Sequence, residues 1–117
     1  MQLIDHLEIH VDKPNELYQA LMVAGIERNK PFDAILDARG ILPNGPGWEF
    51  VFIKLVDKAQ PELFDSCDFD PEADACYLYF DEEEHLNAFV EIVKEEFPDI
   101  ESFESFVATL DPAECEA

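Results

Sequence analysis

The first segment of the chain alternates apolar and polar side chains, which is the period of a strand with one buried face. The alternation extends over residues 3–11. Its apolar side chains are Leu3, Leu7, Ile9 and Val11, and its polar side chains are His6, Glu8 and His10. The pattern therefore predicts a strand that packs on the core with one face and meets solvent with the other.

A helix is predicted directly after this strand. Asp12 is a suitable capping residue, and Pro14 suits the first turn of a helix. Apolar side chains then recur at helical spacing before Gly25, at Leu17, Ala20, Leu21 and Ala24. This segment indicates a short amphipathic helix.

The middle of the chain contains three further segments. Residues 32–38 are rich in apolar side chains and precede Arg39-Gly40, which predicts a second strand that ends in a turn. Residues 42–47 contain two prolines and two glycines and predict a loop. Residues 48–59 have the aromatic and β-branched content of a strand, but their length and spacing before Pro61 favour a buried helix.

The second half of the chain predicts a hairpin followed by a helix. Residues 66–69 and 75–80 are predicted strands, joined by the acidic, proline-containing loop 70–74. Asp81 is placed to cap the helix, with Glu84 at the capping-box position. The apolar stripe of this helix is Leu86, Phe89, Val90, Val93 and Phe97.

A shorter helix is predicted to start at Pro98-Asp99 and to end at Asp111-Pro112, with the last five residues frayed. Its inward-facing side chains are Ile100, Phe103, Val107 and Leu110. The predicted order is β-α-β-α-β-β-α-α, and its lack of regular βαβ alternation favours the α+β class. We expect one small domain over residues 1–117, with an antiparallel sheet and a hairpin packed against about four helices.

Charge narrows the classes of function. The chain has 28 acidic and 7 basic side chains, for a net charge of −21, and residues 62–117 carry −18 of it. Nucleic-acid binding depends on lysine and arginine contacts to phosphate, so nucleic acid is excluded as a direct ligand. A basic protein partner fits this charge, although many acidic proteins carry charge for solubility alone.

The remaining composition indicates a cytoplasmic protein without a membrane partner. No apolar run reaches the length of a membrane span, and the first residues lack the pattern of a secretory signal. Cys67, Cys76 and Cys115 follow no C-x-x-C pattern, so reduced thiols are expected, the first two packed in or beside strands and the third exposed on a mobile tail. No exposed apolar stripe indicates a dimer, and the oligomeric state is not predicted.

No catalytic constellation is recognisable, so we expect neither an enzyme nor a cofactor. His85 has Asp81, Glu82 and Glu84 beside it, which favours its charged form and makes it a poor base. The two histidines and the glutamate of the first strand are zinc-ligand types. Neighbours two apart on a strand stand roughly 7 Å apart, because each residue rises about 3.3 Å, so these side chains are expected to be solvent-facing and no metal site is predicted.

A set of short motifs within residues 44–97 points to one known family. The motifs are Asn44-Gly45 with Trp48-Glu49, then Pro61-Glu62-Leu63, then Phe69-Asp70-Pro71-Glu72-Ala73, then Tyr79, Asp81, Glu83, Leu86 and Phe89. In this combination the sequence resembles the Immunity protein 51 family of bacterial polymorphic toxin systems. The resemblance implies a single immunity-protein-like domain in which Trp48 lies in a buried helix.

The function that the resemblance implies is binding and neutralisation of a cognate toxin, such as a nuclease with a basic groove. The side chains expected to contact the toxin are Asp68, Asp70, Glu72, Asp74, Glu82, Glu83, Glu91 and Glu95. One alternative is an acidic regulator or nucleic-acid mimic that inhibits a housekeeping basic protein. The other is a small metal-dependent enzyme built on the histidines of the first strand.

Overall fold

The computed structural model describes residues 1–115, which form an antiparallel sheet and a layer of helices. The strands are β1 (Glu8–Asp12), β2 (Leu17–Val23), β3 (Cys67–Pro71) and β4 (Ala75–Phe80). The α-helices are α1 (Lys30–Arg39), α2 (Gly45–Ala59), α3 (Glu83–Glu96) and α4 (Ile100–Ala108). Short 3-10 helices lie at Leu3–His6, Lys13–Asn15, Glu27–Asn29, Pro61–Ser66 and Pro112–Glu114. The predicted α+β class is confirmed.

The strand order is β1-β2-β4-β3, and every neighbouring pair is antiparallel. The chain therefore runs through two strands and two helices, and then through two strands and two helices again. The two halves of the chain therefore occupy equivalent places in the sheet: each contributes one edge strand and one central strand. This arrangement places β2 and β4 at the centre of the sheet and leaves β1 and β3 at its edges.

The prediction of a helix after the first strand is wrong, because residues 17–23 form the central strand β2. Asp12 accepts a hydrogen bond from the Asn15 side chain (2.8 Å), and Glu16 adopts a positive φ of 52°, so the chain turns into a hairpin. The run from Leu17 to Val23 is almost entirely apolar, and such a run fits both helical and strand spacing. Pairing with both β1 and β4 decides in favour of the strand.

The strand predicted at residues 32–38 is also wrong, because these residues belong to α1. Pro31 occupies the first turn, where a missing N–H costs nothing. Gly40 ends the helix in the left-handed conformation (φ 87°), and its N–H is bonded to the carbonyls of Leu36 and Asp37. Proline at the start and glycine at the end are helix signals that outweigh the apolar content.

The helix favoured for residues 48–59 is confirmed, and it begins inside the predicted loop. Asn44 caps α2 by accepting a hydrogen bond from the Gly47 N–H (2.8 Å), and Pro46 lies in the first turn. The start of α2 contacts the loop between β3 and β4, where the Gly45 N–H donates to the Ala73 carbonyl (3.2 Å). The acidic hairpin loop is thus held by a buried helix end.

Glycine is required at position 45 by this close approach. A Cβ there would lie 1.8 Å from the Glu72 carbonyl oxygen and 2.5 Å from the Ala75 carbonyl oxygen, so backbone would have to move. We expect Gly45→Ala to lower the free energy of unfolding by about 1–3 kcal/mol in a urea titration. Pro46→Ala, one residue on, is the control and should cost at most about 1 kcal/mol. Equal stability of the two variants would contradict the packing described.

The second half of the chain follows the prediction except at one helix start. The β3–β4 hairpin, α3 and α4 are confirmed, and a capping box between Asp99 and Ser102 starts α4. Asp81 does not cap α3, because residue 82 occupies the capping position and makes no side-chain hydrogen bond to the helix. Of the five predicted frayed residues, 113–114 lie in the last 3-10 helix and 116–117 lie outside the described residues.

The core lies between the helices and one face of the sheet. Trp48 is fully buried and stacks on Phe103, with ring centroids 5.5 Å apart. Its indole N–H donates to the buried carboxylate of Asp33 (3.0 Å), which also accepts a hydrogen bond from the Gly25 N–H (2.8 Å). Trp48 therefore ties α2 to α1 and α4. Within residues 1–115 there is no helix that is both long and apolar enough to span a membrane.

Candidate partner-binding surface

One face of the sheet is left uncovered by the helices of residues 1–115. The helices pack on the other face, where Ala20, Met22 and Leu78 belong to the main core. Leu21 points away from those residues and lies outside that core. We call the uncovered side the open face. Its side chains are Glu8, His10, Asp12, Leu17, Gln19, Leu21, Val23, Ala75, Tyr77, Tyr79, Asp68 and Asp70.

Strand pairing arranges the open face in rows, because directly opposite residues of antiparallel strands share a face. The first row across the sheet is Glu8, Leu21, Tyr77 and Asp70. The next row is His10, Gln19, Tyr79 and Asp68. The centre of the open face is therefore apolar and aromatic, while most of its acidic side chains stand on the edge strands.

The two tyrosines form the middle of the open face. Their rings stack, with centroids 6.1 Å apart and an angle of 5° between planes. Burial, and then the charge of Asp70, raises the pKa of Tyr79, so its hydroxyl stays protonated and able to donate at neutral pH. A shallow depression of about 660 Å³ lies beside Tyr77, Leu21 and Leu17. Tyrosine-rich centres with charged rims are typical of protein-binding surfaces.

The structure divides the eight predicted contact acids into two groups of four. We call Asp68, Asp70, Glu72 and Asp74 the hairpin acids, and all four are exposed on β3 or in the loop that follows it. We call Glu82, Glu83, Glu91 and Glu95 the helix acids, and they lie at the start of α3 or along it. Among the helix acids, Glu83 is half-buried and forms an ion pair with Lys13 (3.4 Å).

The two groups do not form one patch. The loop acids Glu72 and Asp74 precede β4, and α3 begins after its other end. Six residues of strand place these points roughly 15–20 Å apart, because each residue rises about 3.3 Å. The hairpin acids adjoin the open face, whereas α3 packs on the core side of the sheet through residues such as Phe89.

The first strand begins at Glu8 and not at Leu3 as predicted, so His6 does not share a strand face with Glu8 and His10. His6 belongs to the 3-10 helix before β1, and its Nδ1 donates to the side-chain oxygen of Asn29 (2.9 Å). His10 instead lies 3.5 Å from the Glu8 carboxylate on the open face. The structure thus separates the three residues of the alternative zinc hypothesis.

The acidic surroundings predicted for His85 are confirmed. Its Nδ1 lies 2.5 Å from Asp81, and this hydrogen bond raises the pKa of His85 and lowers that of Asp81. Glu82, Glu84 and His85 bring one potential ligand atom each within 4.8 Å of one another. The neighbouring Glu84 carboxylate raises the pKa of Glu82, because protonated Glu82 can donate a hydrogen bond to it. Their exposure at a helix start is that of a solvated acidic turn.

The three cysteines are buried or half-buried. Cys67 and Cys76 lie in strands as predicted, and burial raises the pKa of the Cys67 thiol to about 12. Cys115 packs half-buried against the core, so its predicted exposure is wrong.

A depression of about 500 Å³ beside Phe50 is crossed by an ion pair between Lys54 and Glu114 (2.5 Å).

Sequence reasoning missed the apolar centre of the open face. The sequence pattern predicts a helix at Leu17 and Leu21 and a strand at Tyr77, so it does not bring these side chains together. A usable signal is present in β4, where residues 75–80 contain no charged side chain and no polar alternation. A strand that is apolar on both faces but covered on only one leaves an apolar surface for a partner. The open face presents two half-buried tyrosines and the exposed Leu17, while Leu21 and Gln19 between them are buried by their neighbours.

Comparisons with known proteins identify the family of the chain. Searches of curated proteins and of solved structures found no match. The family model described as Immunity protein 51 matches residues 10–111, which include β2, β3, β4 and every α-helix. This match extends well beyond the motifs at residues 44–97. Because it covers most of the sequence, the chain belongs to the Immunity protein 51 family.

Proposed function

We propose that this protein neutralises a cognate bacterial toxin by binding it directly through the open face and the hairpin acids. The family supports the immunity role. The single structural observation that supports this location is a stacked tyrosine pair flanked by Asp68 and Asp70 on a sheet face that the helices leave uncovered. The protein acts by binding to the toxin and covering its substrate groove, so it needs no catalysis or cofactor of its own.

The partner is proposed to be a basic toxin, such as a nuclease whose groove binds phosphate. The net charge of −21 attracts such a groove over several ångströms and raises the rate of encounter. The hairpin acids would stand where a nucleic-acid backbone would otherwise lie. The helix acids would contribute to the long-range attraction from the other side of the sheet. A cytoplasmic location would place the protein where an incoming nuclease acts.

The proposed function is tested with the products of the open reading frames next to the gene, each purified as a candidate toxin. The purified toxin domain and this protein should form a stable complex, and the toxin's activity should fall as the complex forms. A toxin that stays fully active in the presence of excess protein would overturn the proposal.

The two groups of acids supply a matched test of location. Changing the four hairpin acids to their amides should slow association by about tenfold or more at low salt and flatten its salt dependence. It should also speed dissociation, because these acids are proposed to touch the toxin. Changing the four helix acids to amides removes the same charge and should slow association while leaving dissociation unchanged. Stopped-flow association and dissociation rates measure both, and equal effects on dissociation would remove the assignment to the hairpin.

A further inference from the structure

The outer edge of β1 is open along its length. Beyond the pairing of β1 with β2, no backbone hydrogen bond involves residues 8–12 within the described part of the chain. Alternate N–H and C=O groups of an edge strand point away from the sheet and can pair with another strand. β1 therefore offers free backbone groups next to the open face.

The two edges of the sheet differ in how they are protected. β3 contains Pro71, which lacks an N–H, and it packs against the 3-10 helix Pro61–Ser66. β1 contains neither proline nor lysine. Such protection is the usual way in which proteins prevent a sheet edge from pairing with another chain. β1 does carry two charged side chains, Glu8 and Asp12, which deter another acidic strand but leave the backbone groups free to pair with a basic one.

The helix layer does not extend beneath β1. Ile9 and Val11 point to the core side, in register with Ala20 and Tyr18, yet they are 39% and 43% exposed. By contrast, Ala20 in the adjacent strand is fully buried. A strand added beside β1 would cover Ile9 and Val11 with its own inward side chains.

We infer that β1 is a strand-addition site for an extended basic segment of the toxin. This inference rests on the proposed function. Glu8 and Asp12 point to the open face on either side of His10, so a paired strand would place lysine or arginine opposite them. A second copy of this chain is a poor occupant. Antiparallel pairing of two β1 strands about His10 would set Glu8 against Asp12 of the other copy, between molecules that each carry −21.

The partner segment therefore has a defined chemistry. It is extended over about five residues, with apolar side chains toward Ile9 and Val11 and basic side chains toward Glu8 and Asp12. Its backbone would continue the sheet to the order partner-β1-β2-β4-β3. The rest of the toxin would then lie over the tyrosines of the open face.

Hydrogen–deuterium exchange of the full chain, alone and with the purified toxin domain, tests this inference. The outward amides of residues 8–12 should exchange rapidly in the free protein and slow by at least about tenfold in the complex, because strand pairing protects them. A complex that leaves these amides unprotected would overturn the strand addition while keeping the proposed function. Failure of the wild-type protein to form any complex would overturn both. Protection that appears without toxin as concentration rises would replace the toxin with a second copy.

A pair of substitutions tests the side chains of the same site. Ile9→Lys with Val11→Lys should keep the unfolding midpoint near that of the wild type, since both side chains are already partly exposed, and weaken toxin binding by about tenfold or more. Ala34→Lys with Ala38→Lys adds the same charge on exposed positions of α1, so it should slow association only as a remote charge does and weaken binding much less. Equal affinity of the two double variants would overturn the inference.

Discussion

Trp48→Ala is expected to lower the free energy of unfolding by about 3–5 kcal/mol, because it empties a fully buried site. The substitution also removes the stacking on Phe103 and the hydrogen bond to Asp33. One oxygen of that buried carboxylate would then lack its partner, which adds to the cost of the cavity. Urea unfolding measures the change.

Trp48→Phe separates the two contributions. Phenylalanine keeps an aromatic ring in the core but cannot donate to Asp33, so a smaller loss than for alanine is expected. Both variants should bind the toxin normally at temperatures where they stay folded, because Trp48 is not on the open face. A Trp48→Ala protein of wild-type stability that no longer binds toxin would instead place Trp48 in the interface.

Replacing Tyr77 and Tyr79 together by alanine is expected to weaken toxin binding by about 100-fold or more. Truncation of a central aromatic contact costs about 2 kcal/mol or more, and two such contacts act here at the middle of the open face. The fold should persist, since both rings are only half-buried on a face that is not part of the main core. Calorimetric titration with the toxin domain measures the affinity.

The matched control is Tyr77→Phe with Tyr79→Phe. It keeps the stacked rings and removes only the hydroxyl groups, so most of the affinity should remain. If the alanine pair binds as tightly as the wild type, the toxin does not use the open face. If the phenylalanine pair fails as completely as the alanine pair, hydrogen bonds rather than ring contacts carry the affinity.

Sequence patterns predicted the second half of the fold better than the first. In α3 and α4, the apolar stripes, the prolines and the flanking polar residues all indicate the same element, and both helices are present. In the first half the local signals conflict. Residues 17–23 are so uniformly apolar that helical and strand spacing fit equally, and only the pairing with β1 and β4 makes them a strand.

The binding surface was harder to predict than the fold. Acidic residues are visible in a sequence, so the hairpin and helix acids could be named, but their separation depends on the direction of β4 between them. The apolar centre depends on strand order, since Leu21 and Tyr77 are 56 positions apart and meet only because β2 pairs with β4. Strand order is set by long-range packing, which periodicity does not encode.

Survival of cells that express the toxin is the most direct test of protection through the open face. Each open reading frame beside the gene is expressed as a candidate toxin, together with the wild-type protein, with the Tyr77→Ala and Tyr79→Ala pair, or with Ala34→Lys and Ala38→Lys as a folded control. We expect the wild type and the control to rescue growth and copurify with the toxin, and the tyrosine pair to do neither. Rescue by the tyrosine pair would contradict the proposed surface, and a neighbour that is not toxic or is not neutralised by the wild type would contradict the immunity function itself.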